Sequence, residues 1–143
     1  MGAIGDLERR YSHLAAVYIV YTREAHPADG WRLASNDEHE VCVPAARSLE
    51  ERAHAAEDMC RRYEVDLPVL VDSMNDAASE AFAAYPDRVY LIDRDGRVAH
   101  KGGRGPYGFD IDRLERALLL ALVDEDDAPR VGLGGGAGGI APR

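Results

Sequence analysis

Three short apolar runs constrain this chain most: 15–20 (A-A-V-Y-I-V), 68–72 (P-V-L-V-D) and 89–92 (V-Y-L-I). Each is shorter than an ordinary helix and rich in β-branched or aromatic residues, so each reads as a buried strand. Helical periodicity fills the intervals. Ile4, Leu7, Tyr11 and Leu14 recur at helical spacing ahead of the first run. Leu49, Ala53, Ala56, Cys60 and Tyr63 do so between the first and second, and Ala78, Ala81, Phe82 and Tyr85 between the second and third. Strands alternating with amphipathic helices predict an α/β fold. At 143 residues and 46% hydrophobic content, the chain can bury one core and has no room for two.

Local signals sharpen the boundaries. Ser48 opens S-L-E-E, where its hydroxyl caps the second helix while Glu51 reaches back to it. Ser73 or Asn75 is expected to cap the third helix, and Pro86 ends it. The turn Asp93-Arg94-Asp95-Gly96 predicts that 97–101 folds back as an antiparallel hairpin partner of the third strand. The loop 102–108 (G-G-R-G-P-Y-G) lets backbone approach something closely, and Asp110 or Asp112 caps a last helix whose inner face is Ile111, Leu114, Ala117, Leu118 and Ala121. The expected domain is 1–123. From Asp124 onward the composition turns acidic and then glycine-rich, and such a segment is expected to stay disordered because it buries too little to offset its ordering entropy. Its glycines are not a phosphate loop, since no strand precedes them and no helix or Lys follows.

Charge and composition remove several function classes. A net charge of −9 opposes a nucleic-acid or anionic-membrane partner, both of which need a basic surface. No apolar run approaches the roughly 20 residues that span a bilayer. With no basic-then-apolar export signal, a cytoplasmic location is expected. Cys42 and Cys60 are too few for a disulfide framework and should stay reduced. His39 among Asp37, Glu38 and Glu40 reads as a solvated acidic loop, and no Cys/His spacing supports a metal.

The chemistry is expected where the first strand ends. Residues 21–31 read Y-T-R-E-A-H-P-A-D-G-W, placing Tyr21, Glu24, His26, Asp29 and Trp31 on a loop leaving a strand, within an irregular stretch that runs to Arg47. His titrates near neutrality, and a carboxylate or phenol bonded to one ring nitrogen orients the other. Glu24 and His26, with Tyr21 beside them, are therefore a site candidate. Asp29 and Trp31 are expected mainly to hold the loop, Trp31 being also a candidate substrate contact, as is Arg104 in G-G-R-G-P. Cys60 sits on an apolar helix face, where a thiol is inert; Cys42, near His39 and Glu40, is the candidate redox thiol.

Four strings in order, Y-x-x-E-A-H-P-A-D-G-W at 21–31, R-S-L-E-E-R at 47–52, A-Y-P-D-R-V-Y at 84–90 and G-G-R-G-P at 102–106, closely resemble the iodothyronine deiodinase family, over roughly residues 4–122. The string L-P-V-L-V-D, a helix, and V-Y-L-I-D-R-D-G-R-V resemble the wider thioredoxin-like superfamily, including peroxiredoxins. The resemblance implies a thioredoxin-like fold and an oxidoreductase. In such an enzyme a selenocysteine or cysteine attacks the halogen of an aromatic substrate, and an external thiol reductant regenerates it, with no bound cofactor. It also implies that Tyr21, Glu24 and His26 form a hydrogen-bonded network that supplies the proton.

Two departures from the family pattern carry their own expectations. The nucleophile of the family precedes the helix that begins here near Ile4, and a second His carried by some members falls on Ala46. Met1 is therefore expected to be an internal methionine of a longer protein, downstream of a nucleophile that is either a cysteine or a selenocysteine encoded by UGA. The first, central strand of the thioredoxin-like sheet would be missing from this chain, which would then be inactive alone. Its exposed strand edges would favour a homodimer. Two other readings use the same scaffold: a noncatalytic thioredoxin-like binding module, and a thiol peroxidase-like enzyme.

Overall fold

A computed structural model describes residues 2–30 and 43–127. It is a mixed α/β fold, as the alternating pattern predicts. In chain order the described elements are α1 (Gly2–Tyr11), β1 (Ile19–Tyr21), α2 (Leu49–Arg62), β2 (Val69–Val71), α3 (Ala77–Ala81), β3 (Tyr90–Ile92), β4 (Val98–Lys101) and α4 (Ile111–Asp127).

The strands form two separate pairs. β1 and β2 are parallel, with Ile19 opposite Val69, Val20 opposite Leu70 and Tyr21 opposite Val71. β3 and β4 are antiparallel, with a register irregularity between Leu91 and Ile92. Neither β1 nor β3 has a second strand partner among the described residues. The hairpin turn forms as its sequence requires: Gly96 takes φ +79°, a conformation glycine adopts without cost, and the Asp93 carboxylate accepts from the Arg97 amide at 2.8 Å.

The helix starts follow capping chemistry, with two changes. Ser48 Oγ accepts from the Glu51 amide at 3.1 Å, but the Glu51 carboxylate reaches one residue further back, to the Arg47 amide at 2.6 Å. Asp110 caps α4 by accepting from the Arg113 amide at 3.0 Å. For α3, neither Ser73 nor Asn75 is the N-cap; Asp76 holds that position, in the left-handed region and without a side-chain cap bond. The capping carboxylate is instead Asp72, at the end of β2, which accepts from the amides of Ala78 and Ser79 at 2.9 Å each. A buried strand end can thus serve the orphan amides of a helix several residues on.

The buried apolar residues are Leu7, Ala56, Leu114 and Leu118, as the helical stripes predict. Other expected core positions are not covered. The strands alternate rather than being buried on both faces, leaving Val20 and its cross-strand neighbour Leu70 exposed. Leu14, Leu49, Tyr63, Phe82 and Tyr85 are also exposed. The cause differs by position: α1 stops at Tyr11 before Leu14, and α3 stops at Ala81 before Phe82 and Tyr85, so those side chains leave the predicted face. Leu49 sits in the first turn of α2, and Tyr63 is its C-cap. The acidic run Asp124–Asp127 continues α4 as helix; the glycine-rich tail lies outside the described residues.

Candidate functional site

The β1 strand delivers Tyr21 to its C-terminal end, and the chain then turns into the loop that carries Glu24 and His26. Tyr21 and Glu24, both half-buried, share a cavity of about 280 Å³ with Arg23, Arg52, Met74 and Asp76. Burial raises the Glu24 carboxyl above its ordinary value, because the charged form is the one that loses water. A carboxyl so placed holds its proton more firmly than a solvated one, which suits a proton donor. His26 follows two residues later and is half-buried, but it does not line this cavity.

The far end of the loop is closed by backbone and by Asp29. The Ala28 amide donates to the Val43 carbonyl at 2.8 Å, and the Ala45 amide donates to the Asp29 carboxylate at 2.8 Å. Asp29 therefore holds the loop, as expected. Trp31 and Cys42 lie between these two ties and outside the described residues. Among the described residues the free thiol is Cys60, half-buried on α2 beside an open, largely apolar groove with Val69 and Val71.

Four residues that the sequence reading did not assign organise the floor of the site. Arg52 is 4% exposed; its Nη1 donates to the carbonyls of Asp72 at 3.2 Å and Ser73 at 2.7 Å, and its Nη2 lies 3.0 Å from Asp76 Oδ1. Asp76 also receives Arg23 Nη1 at 3.2 Å, so one carboxylate joins the buried guanidinium to the loop that carries Glu24 and His26. Burial alone would raise the Asp72 carboxyl. The amides of Ala78, Ser79 and Ser73 and the nearby Arg52 charge outweigh that, and the net effect holds it below its ordinary value. Tyr85 is the fourth: its ring lies under the Arg23 guanidinium at 4.5 Å and its hydroxyl donates to the Ala25 carbonyl at 3.1 Å. A signal for Arg52 existed in the sequence, since 49, 52, 53 and 56 share one helical stripe.

Residues 85–88 connect the two loops singled out by sequence. Tyr85 binds Ala25 on one side, while the Asp87 carbonyl accepts from the Gly105 amide at 3.1 Å on the other. Arg104 is exposed on that second loop and does not line the Tyr21–Glu24 cavity. The loop is folded tightly enough that a Cβ on Gly105 would collide with the Asp87 carboxylate. Among the described residues no group of His, Cys, Asp and Glu could hold a metal ion. No described helix is long and apolar enough to cross a membrane.

The described fold is a mixed α/β scaffold that places a half-buried acid and a half-buried His on the loop leaving its first strand. Comparison with known proteins fixes the family. The family model described as iodothyronine deiodinase matches residues 1–121, so the chain belongs to the iodothyronine deiodinase family. It is similar to thyroxine 5-deiodinase of Sparus aurata, 38% identical over 121 residues that cover 82% of this chain and 42% of the relative. The corresponding protein of Gallus gallus is 41% identical over 105 residues, 73% of this chain and 39% of the relative. That of Homo sapiens is 34% identical over 118 residues, 82% of this chain and 37% of the relative. The chain thus spans about two fifths of the length of these relatives.

Proposed function

We propose that this chain is the proton-handling part of a deiodinase-like, thioredoxin-fold oxidoreductase that removes halogen reductively from an aromatic ring. Glu24 and His26 supply the proton, assisted by Tyr21, and the nucleophile, a selenolate or thiolate, is encoded upstream of Met1. The observation that carries this reading is the placement of Glu24: the family string leaves β1 with this carboxyl half-buried, its pKa raised by burial, and open to a cavity of about 280 Å³.

The nucleophile takes the iodine from the C–I bond as a selenenyl or sulfenyl iodide. The ring carbon keeps the bonding pair and receives the proton held by the Glu24–His26 pair. Two equivalents of an external thiol then release iodide and restore the nucleophile as they become a disulfide. Cys42 is the candidate second redox thiol, and Arg104 and Trp31 are candidate substrate contacts. No bound cofactor is called on; the substrate is a small halogenated aromatic and the setting is cytoplasmic.

The two strand pairs support an upstream contribution, because β1 and β3 each have an unpaired edge among the described residues. Unpaired backbone groups that become buried cost about 1–3 kcal/mol each, so a further strand pairing with these edges would be strongly favoured. The test is to translate the DNA upstream of Met1. We expect an in-frame Cys or UGA codon preceded by strand-like codons; an ordinary in-frame stop with neither would overturn the upstream-nucleophile reading.

A further inference from the structure

We propose that Tyr85 is a positioning residue that sets where Glu24 and His26 stand. Its ring supports the Arg23 guanidinium at 4.5 Å, and its hydroxyl donates to the Ala25 carbonyl at 3.1 Å. One side chain therefore grips the residues on both sides of Glu24 and immediately before His26. Glu24 belongs to no regular element, so its position depends on such ties.

The grip has a firm base on the Arg23 side. Arg23 pairs with Asp76, and Asp76 is held by Arg52, which is 4% exposed and anchored on the Asp72 and Ser73 carbonyls. A planar guanidinium can stack on a ring and bond a carboxylate in the same geometry, which a lysine cannot reproduce. Tyr85 itself lies four residues beyond the end of α3 at Ala81 and directly precedes Pro86, so its place is set by the segment after the helix. The Tyr85 ring is thus presented by a segment that is also tied, through the Asp87 carbonyl, to the Gly105 amide.

The inference rests on the reading of Glu24 and His26 as the proton-handling pair, but its test concerns position and not turnover. In the 143-residue chain, Tyr85→Phe removes only the hydroxyl, Tyr85→Leu removes hydroxyl and ring, and Arg23→Gln removes the stacked cation. Amide hydrogen exchange at Ala25 and His26 should rise about fivefold in Tyr85→Leu and in Arg23→Gln, the scale of one net hydrogen bond, and less in Tyr85→Phe. Exchange in α2 should not change, and the His26 imidazole proton resonance should move in all three. Arg23→Lys should keep the ion pair with Asp76 but leave the His26 resonance displaced, because an ammonium does not reproduce the planar stack on Tyr85. Unchanged exchange at Ala25 and His26 would overturn the proposal. A rise spread equally over α2 would overturn it too, since Tyr85 would then be a general structural residue. A His26→Ala substitution that leaves turnover intact in the upstream-extended protein would instead sink the proton-handling reading, leaving the positional result standing.

Discussion

The two strand pairs are held by different forces. Around β3 and β4, the buried residues of the helices that close that side, α1 and α4, are apolar: Leu7, Leu114 and Leu118. Around β1 and β2 they are largely polar: Arg52, Asp72 and Ser79, with Ala56 as the buried apolar member. Even the tie between α1 and α4 places its charges at the rim. There Glu115 accepts from Arg10 Nη1 at 2.6 Å and from the Tyr11 hydroxyl at 2.6 Å. The comparison teaches that the site-bearing half depends on directional bonds, which fix geometry, while the hairpin half depends on burial, which fixes compactness.

Substitutions should separate the two halves. Arg52→Ala takes from Asp76 its buried partner, leaving it to Arg23 alone, and strips two carbonyls of their donor, so a loss of about 3–5 kcal/mol is expected by denaturant unfolding. Its effect should include faster amide exchange in residues 22–30. Leu114→Ala should cost about 2–4 kcal/mol through the cavity it leaves, with exchange in residues 22–30 nearly unchanged. Equal disturbance of that loop by both substitutions would erase the distinction drawn between the halves.

Acid titration sharpens the comparison further. The Asp72 carboxyl is held below its ordinary value, so its stabilisation is present above that value and is lost as pH falls through the folded pKa. Asp72→Asn should lower stability by about 1–3 kcal/mol at neutral pH and flatten the acid limb below about pH 4. Glu24 has the opposite sign. Its carboxyl is raised above its ordinary value of 4.5, so the stability it lends is full below that value and is lost as pH rises through the folded pKa. Glu24→Gln should therefore match the parent chain in acid and exceed it at neutral pH, by less than about 1 kcal/mol, in thermal unfolding. A Glu24→Gln chain less stable than its parent at neutral pH would mean that the carboxylate is satisfied rather than desolvated.

The strands, the hairpin turn and two of the helix caps could be read from the sequence because each rests on chemistry a few residues wide: Ser48 with Glu51, Asp110 with Arg113, Asp93 with Gly96 and Arg97. The Tyr21–Glu24–His26 string was legible for a similar reason, as a polar run on a strand end, and Asp29 was rightly expected to hold its loop. What was not legible joins distant segments. Asp72 caps a helix across a turn, Arg52 bonds carbonyls 20 and 21 residues away, and Tyr85 reaches Ala25 over 60 residues. The overestimate of burial at Leu49, Phe82 and Tyr85 has a related cause, since periodicity marks a face without telling where a helix stops.

The most direct test of the account is iodide release from an iodinated aromatic substrate, with a small thiol as reductant, by the protein translated from the upstream-extended reading frame. The account predicts thiol-dependent release that falls about 100-fold or more in His26→Ala while the thermal unfolding of that variant stays close to the parent's. Release by the His26→Ala protein at the parent rate would contradict it.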